Sequence, residues 1–403
     1  MALRESFDHF CLRAGIESLE ALMAEEVEAL CGPRHERNDK EGQRWGGTRG
    51  EVPFHGGKVA IQRPRVRQRN GQEVELSSYR EARDHDLLGA WAVNQMLVGV
   101  ATRRFARSVR LPVGDIPQVD GDGTSKSAVS RRFVAITQEK MDKWLGRDLA
   151  GLNILVILID GLVIEDHTMV AALGIDATGV KHPLSLAMGS TENHTVVQAL
   201  LDDLEERGMA ADRARLFLLD GSKALRKAVR NTYGPLALIQ RCQAHKSRNI
   251  VDRLPEALKI SVRKTIRQAW DTDNPELAEK ILRNLAHRLE SVNPQAAASV
   301  LEGLDEMLCL VRLGLPAELR RSLATTNAIE NMMGTIRNVT RNIKRWRHGK
   351  MALRWTATAI LEAQKGFRRI RAHKQLSVLA VKLAEHTRRV RAEMGLPQEE
   401  KVA

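Results

Sequence analysis

The apolar and polar positions divide the chain into a helical N-terminal region, a central region that alternates strands and helices, and a helical C-terminal half. The central region opens with a continuous apolar run at 152–160, as expected of a strand that is covered on both faces of a sheet. Turn-forming residues and further apolar segments predict four more strands, at 167–175, 181–188, 215–220 and 236–240. Helical periodicity follows each of the last three strands.

The order of these elements favours one fold class. Three consecutive strands, which we expect to form an antiparallel meander, precede an α-β-α-β-α succession, and this is the element order of the RNase H-like fold. The pattern is then almost wholly helical from 255 to about 319, which we interpret as an all-α insertion. A further helix begins at the cap-forming residues 325–327, and the segment 365–395 is basic, amphipathic and helical in pattern. We therefore expect an α/β protein with an RNase H-like core.

The N-terminal region combines an acidic amphipathic helix at 1–31 with a basic, strand-like segment at 34–80, which contains a hairpin signal at Asn70-Gly71. A helical pattern at 87–110 and a second helix that opens at Ser125 or Ser127 then suggest a helix-turn-helix. The residues of its second helix that could reach DNA phosphates or base edges are Lys126, Ser127, Arg131 and Arg132. A linker followed by a charged surface helix is the alternative interpretation.

These patterns suggest six regions. They are an N-terminal helix with a basic β-rich DNA-binding element (1–84), a helix-turn-helix-like DNA-binding region (85–150), the first part of the RNase H-like core (151–254), the helical insertion (255–320), the core segment with a glutamate-bearing helix (321–372) and a basic helical tail (373–403).

The composition indicates what kind of partner the protein binds. A formal net charge of +13 on 403 residues indicates a polyanionic partner, most often nucleic acid. No apolar run approaches the ~18–20 residues that cross a bilayer, and the first residues lack the apolar segment of a signal peptide, so we expect a cytoplasmic protein without a membrane partner. The four cysteines lack the spacing of a disulfide framework.

Two aspartates follow apolar strands in similar settings. Asp160 ends the run NILVILID and Asp220 ends RLFLLD, and each precedes a glycine. In the expected fold the first and fourth strands are neighbours, so their ends would bring both carboxylates together. Crowded carboxylates repel each other unless a divalent cation lies between them, and two Mg²⁺ or Mn²⁺ ions so held can cleave a phosphodiester. Either aspartate alone is better explained as part of an Asp-Gly turn.

Glu330 is the candidate third carboxylate. It lies near the start of the helix that begins at 325–327, and at helical spacing Arg337, Arg341, Lys344 and His348 would continue along its face. Arg345 and Arg347 add to a segment that we expect to grip DNA phosphates. A glutamate favoured by the helix dipole is the alternative, but it would not explain the row of basic residues.

Cys242 and His245 follow the fifth strand as Cys-x-x-His. A zinc site would need two more ligands, and because none is suitably spaced nearby, no zinc is expected. A buried thiol with a capping histidine, and an active-site pair in which His245 contacts the scissile phosphate, both remain open.

Four segments in this order, LIDG, LLDGSKALRKAV, QRCQAHKSRNI and ATTNAIENMMGTIR, resemble the mutator-type DDE transposases of bacterial insertion sequences, from about residue 85 to 372. The resemblance implies that Asp160, Asp220 and Glu330 form the catalytic triad, that Cys242 and His245 are an active-site pair, and that the insertion at 255–320 belongs to the family. It also implies a nucleoid-associated homodimer or higher multimer that binds terminal inverted repeats and target DNA, and a replicative route through a circular intermediate. The residues after Glu330, NMMGTIR, differ from the serine-rich segment that is more common at this place in the family.

The resulting hypothesis is a transposase that cleaves and transfers DNA strands with two Mg²⁺ or Mn²⁺ ions held by Asp160, Asp220 and Glu330. Two alternatives are an RNase H-like nuclease or resolvase that only hydrolyses DNA, and a catalytically silent DNA-binding regulator. The three intact carboxylates argue against the regulator, because clustered carboxylates are costly to keep without a metal.

Overall fold

The computed structural model describes residues 2–35, 40–54, 57–84, 93–97, 126–189 and 193–396. The chain forms two compact units, Met1–Lys140 and Met141–Ala403. Of the predicted helix at 87–110, only residues 93–97 are described, and they are helical. The rest of that helix and the loop before the second predicted helix, including Ser125, lie outside the described residues.

The first unit contains helix α1 (Ala2–Cys31), strands β1 (Gly42–Phe54), β2 (Gly57–Gln68) and β3 (Glu73–Val74), and helix α2 (Ser77–Asp84). The three strands form an antiparallel sheet in the order β1-β2-β3. The predicted hairpin at Asn70-Gly71 is confirmed between β2 and β3. Gly71 has a φ of 85°, and the Asn70 side chain accepts a hydrogen bond of 2.9 Å from the Gln72 N–H. One face of this sheet packs on α1 and α2 through a small apolar core.

Helix α3 (Lys126–Leu145) confirms the second helix of the predicted helix-turn-helix. It begins at Lys126, so Ser127 lies inside the first turn and the prediction that the helix opens at Ser127 is wrong. Its last residues, including Met141 and Trp144, are buried in the second unit, where the Trp144 indole donates a hydrogen bond of 3.0 Å to the Pro183 carbonyl.

The second unit is built on a mixed five-stranded sheet of β4 (Ile154–Ile164), β5 (His167–Asp176), β6 (Lys181–Gly189), β7 (Arg215–Leu219) and β8 (Ala237–Arg241). All five correspond to predicted strands. The strand order is β6-β5-β4-β7-β8, with β4, β5 and β6 antiparallel and with β7 and β8 parallel to β4. The first and fourth strands of this unit are therefore neighbours, as the sequence predicted.

Strand β4 is longer than the sequence predicted. The strand continues through Asp160 to Ile164, because the apolar residues Leu162 and Ile164 are buried and pair with the first residues of β5. Asp160 therefore lies within a strand, and the expectation that it ends one is wrong. The turn predicted after this strand is present, with Glu165 in the left-handed region at a φ of 49°.

Helices cover both faces of the sheet. One face packs against α4 (His194–Glu206) and α5 (Lys223–Tyr233), whose leucines and valines meet Ile157 and Ile159 of β4. The other face packs against α12 (Ala317–Leu323), α13 (Asn327–Thr340), α14 (Gly349–Lys365) and α15 (Leu376–Glu393). Residues 156 and 158 of β4 face this second layer, as expected from the alternation of side chains along a strand.

The helical stretch after the sheet has its own core. The helices of this stretch are α6 (Gln243–Val251), α7 (Glu256–Asp271), α8 (Pro275–Glu290), α9 (Pro294–Leu301), α10 (Leu304–Met307) and α11 (Cys309–Arg312). Apolar residues of these helices, such as Ile250, Ile266 and Leu282, form a separate buried cluster. The predicted helical character from 255 to about 319 is confirmed.

Helix α13 is shorter than the sequence predicted. It begins after the cap residue Thr326, as expected, but ends at Thr340. The hydroxyl of Thr340 bonds back to the Ile336 carbonyl at 2.8 Å, which is a bond that weakens a helix. The His348 side chain then accepts a hydrogen bond from Met351 N–H and starts α14. Glu330 and Arg337 therefore share a helix, but the prediction that Arg341, Lys344 and His348 continue its face is wrong.

The basic C-terminal segment is helical over a shorter range than predicted, because α14 ends at Lys365 and α15 begins only at Leu376. Within the part of the chain that the structure describes, no helix combines the length and apolar character that crossing a membrane requires.

Candidate active site

Asp160 and Asp220 lie side by side in the register of two parallel strands. Val156 pairs with Leu216, and Leu158 pairs with Leu218. Asp160 and Asp220 each lie two residues after this last pair. Neighbouring strands are about 4.8 Å apart, and positions two residues apart point to the same face. Both side chains are half-buried. The register therefore brings the two carboxylates to one edge of the sheet, where β7 ends and β4 continues.

Local hydrogen bonds hold both aspartates. The Asp160 carboxylate accepts a bond of 2.8 Å from the Gly161 N–H, and Asp220 accepts one of 2.9 Å from the Ser222 N–H. Ser222 in turn caps helix α5. Asp220 forms no ion pair with a basic side chain in the described part of the chain, so its negative charge is available to a cation.

Gly221 makes the turn after Asp220 possible. Its φ is 109°, which is a conformation that residues with a Cβ rarely adopt. A Cβ there would also lie 2.3 Å from Nε of the buried Arg241. Arg241 lies 3.5 Å from a Glu302 carboxylate oxygen, which also lies 3.6 Å from the Lys246 ammonium.

Lys246 is fully buried beside this turn and donates a hydrogen bond of 2.8 Å to the Glu302 carbonyl. Burial, together with the nearby positive charge of Arg241, lowers the pKa of Lys246 to about 8. The contacts of Lys246 and Arg241 with Glu302 tie the end of β8 and the start of α6 to the helical layer.

Glu330 reaches the same end of the sheet from helix α13. The helix packs on β4 because Ile329, Met332 and Ile336 lie in one buried cluster with residues of that strand. The Glu330 carboxylate accepts a hydrogen bond of 2.5 Å from the Thr326 hydroxyl. On its other side, Nδ1 of His245 lies 3.8 Å from a Glu330 oxygen, which is within ion-pair range but too far for a hydrogen bond.

Cys242, His245 and Glu330 form one cluster. Their ligand atoms lie within 4.8 Å of one another, and the Thr326 hydroxyl lies 3.3 Å from the Cys242 sulfur. Cys242 N–H also donates a hydrogen bond of 2.7 Å to the Leu219 carbonyl, so the cluster adjoins the residue before Asp220. The sequence suggested the Cys-x-x-His pair but not its contact with Glu330 or the role of Thr326, because these residues come from distant segments of the chain.

The two aspartates are not members of this three-residue group as the described residues are arranged. The donor atoms of the two sets differ in kind. Asp160 and Asp220 offer carboxylate oxygens, which Mg²⁺ and Mn²⁺ prefer, whereas a thiolate, an imidazole and a carboxylate together are a set that zinc also accepts. Glu330 belongs to the cluster and is the carboxylate that could complete either site.

The predicted DNA-contacting residues lie in different settings. On α3, Lys126, Ser127 and Arg131 are exposed, whereas Arg132 is half-buried and engaged with another group. Arg337 is exposed on α13. Arg341, Lys344, Arg345 and Arg347 are exposed in the non-helical segment 341–348. None of these last five cations forms an ion pair with a residue that the structure describes.

The family described as "Transposase, Mutator family" matches residues 6–369. A transposase for insertion sequence element IS905 of Lactococcus lactis is 26% identical over 354 residues, which cover 85% of each chain. A transposase for element ISRM5 of Rhizobium meliloti is 23% identical over 376 residues, covering 89% of this chain and 91% of the relative. A third, for element IST2 of Acidithiobacillus ferrooxidans, is 30% identical over 177 residues, 44% of this chain and 58% of the relative. The chain belongs to the mutator family of transposases.

Proposed function

We propose that this protein is a DNA transposase that binds the terminal inverted repeats of an insertion sequence and catalyses metal-dependent strand cleavage and strand transfer. Its core is of the RNase H-like class, and Asp160, Asp220 and Glu330 are its catalytic carboxylates. The protein works on DNA in the bacterial cytoplasm, at the nucleoid, as a homodimer or higher multimer.

The observation that carries this proposal is the register of β4 and β7. Asp160 and Asp220 each lie two residues after the last pair of residues that β4 and β7 share. The helix that carries Glu330 packs on β4. Three carboxylates from two neighbouring strands and one helix therefore approach one end of the sheet. Oxygen donors of this kind fit Mg²⁺ or Mn²⁺.

Two divalent ions bound there would polarise the scissile phosphate and stabilise both the attacking and the leaving oxygen. The protein's own contribution is position. Asp160 is held within a buried strand, and the Gly221 turn fixes Asp220. Thr326 orients the Glu330 carboxylate from the N-cap position of α13, and His245 lies beside that carboxylate, where it can also contact a phosphate oxygen. Strand transfer uses the freed 3′-hydroxyl as the next nucleophile, so no covalent protein intermediate is needed.

DNA is held by basic residues outside the carboxylates. We assign this role to exposed residues of α3, namely Lys126, Ser127 and Arg131 with the neighbouring Arg132, and to Arg337 and the basic segment 341–348. The N-terminal 84 residues supply a further basic DNA-binding element, and the helix-turn-helix-like region at 85–150 contributes to recognition of the DNA ends.

The test is a cleavage and strand-transfer assay on oligonucleotides that carry the ends of the encoding element, with Mg²⁺, Mn²⁺ or Zn²⁺. We expect joined products with Mg²⁺ or Mn²⁺, and a loss of at least about a thousandfold in Asp220→Asn, since stabilisation of the reacting oxygens is worth several kcal/mol and 1.36 kcal/mol is tenfold in rate. Asp166→Asn, an exposed carboxylate in the β4–β5 turn, is the matched control and should cleave like the wild type.

Three other results would overturn the proposal. Hydrolysis without joined products would identify a nuclease or resolvase. Binding to the ends without turnover under every metal would identify a DNA-binding regulator. Activity with Zn²⁺ alone that survives Asp220→Asn but not Cys242→Ser would move the chemistry to the Cys242, His245 and Glu330 cluster.

A further inference from the structure

A cleft of about 630 Å³ lies between α6, α7 and α12 in the second unit. Four arginines and one tryptophan dominate its lining, together with one carboxylate; these residues are Arg248, Arg263, Arg267, Arg321, Trp270 and Asp271. The arginines come from three different helices and are exposed at the cleft. The cleft lining contains neither of the two aspartates and no member of the Cys242, His245 and Glu330 cluster.

The cleft arginines differ from other arginines of the same helical layer in lacking ion pairs. Arg283 and Arg312 each pair with Glu279, and Arg320 pairs with Asp273 at 2.6 Å. In contrast, none of the four cleft arginines forms an ion pair or a side-chain hydrogen bond with any residue that the structure describes. The Glu256 carboxylate acts on Arg263 electrostatically, but no direct ion pair within the described residues neutralises any of the four guanidinium groups.

The arrangement concentrates like charge at a cost. Arg263 and Arg267 are one turn apart on α7, and cations at this spacing repel each other by a few tenths of a kcal/mol. Arg248 and Arg321 add two more positive charges at the same cleft, against the single carboxylate of Asp271. An anion bound between them would convert this repulsion into attraction.

The walls of the cleft are fixed. Buried Arg320 of α12 donates hydrogen bonds to the carbonyls of Thr272, at 2.8 Å, and Asp271, at 3.2 Å, at the end of α7. Gln243 N–H at the start of α6 donates one of 2.9 Å to the Ala324 carbonyl after α12. The three helices that carry the arginines are therefore joined at the cleft, and the guanidinium groups are presented on a rigid frame.

The cleft adjoins the candidate active site. Helix α6 carries His245 between the cleft residues Ala244 and Ser247. Thr325 also lines the cleft and directly precedes Thr326, whose hydroxyl bonds Glu330. An extended polyanion that leaves the active site on this side would pass over the arginines.

The chemistry of the lining identifies the anion. Guanidinium groups bind phosphate oxygens through pairs of N–H donors, and several of them in a row match the repeated phosphates of a nucleic acid strand. Resting on the proposed function, we propose that this arginine cleft binds the sugar–phosphate backbone of the DNA strand next to the scissile phosphate, without reading its sequence. Trp270, which is half-buried and packs against the helical core, supplies an apolar wall of the cleft.

The first test measures how salt weakens the binding of the full-length protein to a duplex oligonucleotide of arbitrary sequence. Each lost phosphate contact lowers the slope of log affinity against log salt by about 0.9. We expect Arg263→Ala combined with Arg267→Ala to lower the slope by about 2, and the corresponding double lysine variant to keep it. Lys280→Ala with Arg288→Ala is the matched control, since both residues are exposed on α8 and have no ion pair within the described chain. An unchanged slope in the cleft variant would overturn the proposal.

The second test locates the bound phosphates. Oligonucleotides with neutral methylphosphonates beside the cleavage position should bind the wild type more weakly, and should cause no further loss in the Arg263→Ala, Arg267→Ala variant. An equal loss in both proteins would refute the placement beside the scissile phosphate. Because neither readout requires turnover, failure of the proposed activity would be recorded separately, as the absence of cut or joined products with the wild type.

Discussion

Thr326 donates a hydrogen bond of 2.5 Å to Glu330, and the same hydroxyl lies 3.3 Å from the Cys242 sulfur. A threonine hydroxyl has a single hydrogen to donate, so when that hydrogen goes to the carboxylate, the Cys242 thiol can act as donor to the hydroxyl oxygen. Thr326 is also the cap residue of α13, but it uses its side chain on Glu330 and not on the helix backbone. One buried hydroxyl thus links the residue after β8 to the proposed catalytic glutamate.

Replacement of this hydroxyl should reduce catalysis more than folding. In Thr326→Val the side chain keeps its shape but cannot hydrogen-bond Glu330. Because a hydrogen bond to a charged group contributes about 1.5–3 kcal/mol, we expect strand cleavage to slow by roughly 10- to 150-fold while affinity for DNA is kept. Single-turnover cleavage and DNA-binding measurements on the same preparation check this.

Thr326→Ser supplies the control for the same position. The serine keeps the donor and should restore most of the cleavage rate. If the serine and valine variants were equally impaired, packing of the threonine methyl group would be the important feature, and a positioning role for the hydroxyl would be refuted.

The turn after Asp220 should tolerate only glycine. In Gly221→Ala, a φ of 109° becomes strained, and the new Cβ must displace buried Arg241 from its place beside Glu302. We expect a loss of stability on the order of 1–3 kcal/mol together with a loss of cleavage, since Asp220 shares the turn. Urea unfolding of the full chain measures the first effect.

Gly334→Ala is the matched control for that substitution. Gly334 lies inside α13, and a Cβ there would meet no other atom within 4 Å. Alanine should leave stability unchanged or raise it by about 0.5–1 kcal/mol, because glycine is the poorer helix former. Equal destabilisation in both variants would show that neither the positive φ of Gly221 nor the clash with Arg241 causes the loss of stability.

The sheet could be predicted because its strands are short apolar segments that are separated by turn residues. The run at 152–160 and the pattern RLFLLD are both buried on two faces, which leaves a clear signal in the sequence. The order of elements predicted that the first and fourth strands of the sheet are neighbours. The register confirms this prediction, because β4 and β7 pair.

Element ends were less predictable because they depend on contacts that sequence periodicity does not contain. Strand β4 passes Asp160 since Leu162 and Ile164 find partners in β5. Helix α13 ends at Thr340 although no proline or glycine stands there. The hydroxyl of Thr340 bonds to the Ile336 carbonyl at this end, and His348 caps the helix that follows; helical spacing alone does not reveal either contact.

The least predictable features are those that join distant segments. The approach of His245 to Glu330 requires β8, α6 and α13 to meet at one end of the sheet. The arginine cleft likewise draws Arg248, Arg267 and Arg321 from three helices. No spacing rule relates such residues, because the packing of the helical layer against the core decides their distances.

The segment 341–348 should grip DNA although it is not helical. Arg341, Lys344, Arg345 and Arg347 are exposed and lack ion pairs within the described chain. We expect the double variant Arg345→Ala, Arg347→Ala to lower the slope of log DNA affinity against log salt concentration by about 2, as for two lost phosphate contacts. Lys382→Ala is the control, because Lys382 already pairs with Glu385 at 3.0 Å. A slope equal to that of the wild type in the double variant would contradict a role in DNA binding.

The first unit should lose local stability in acid through one carboxylate. Glu26 of α1 accepts hydrogen bonds from the backbone and hydroxyl groups of Ser77 and Ser78, at 2.6–2.9 Å, at the start of α2. Partial burial alone would raise the pKa of Glu26, but the four hydrogen bonds outweigh it and lower the pKa from 4.5 to about 2. The carboxylate therefore stabilises the folded state fully above pH 4.5, and this contribution is lost as the pH falls from 4.5 towards 2.

Amide hydrogen exchange at residues 77–84, expressed as protection relative to the unfolded chain at each pH, measures this effect locally. We expect protection to fall between pH 4.5 and 2 in the wild type. Glu26→Gln should lower protection at neutral pH by the equivalent of about 1 kcal/mol, as for a lost helix cap, and should flatten the acid dependence. Glu25→Gln, which removes an exposed carboxylate one position earlier on α1, should keep the wild-type profile. If Glu26→Gln kept that profile as well, the acid sensitivity of α2 would have to come from another group.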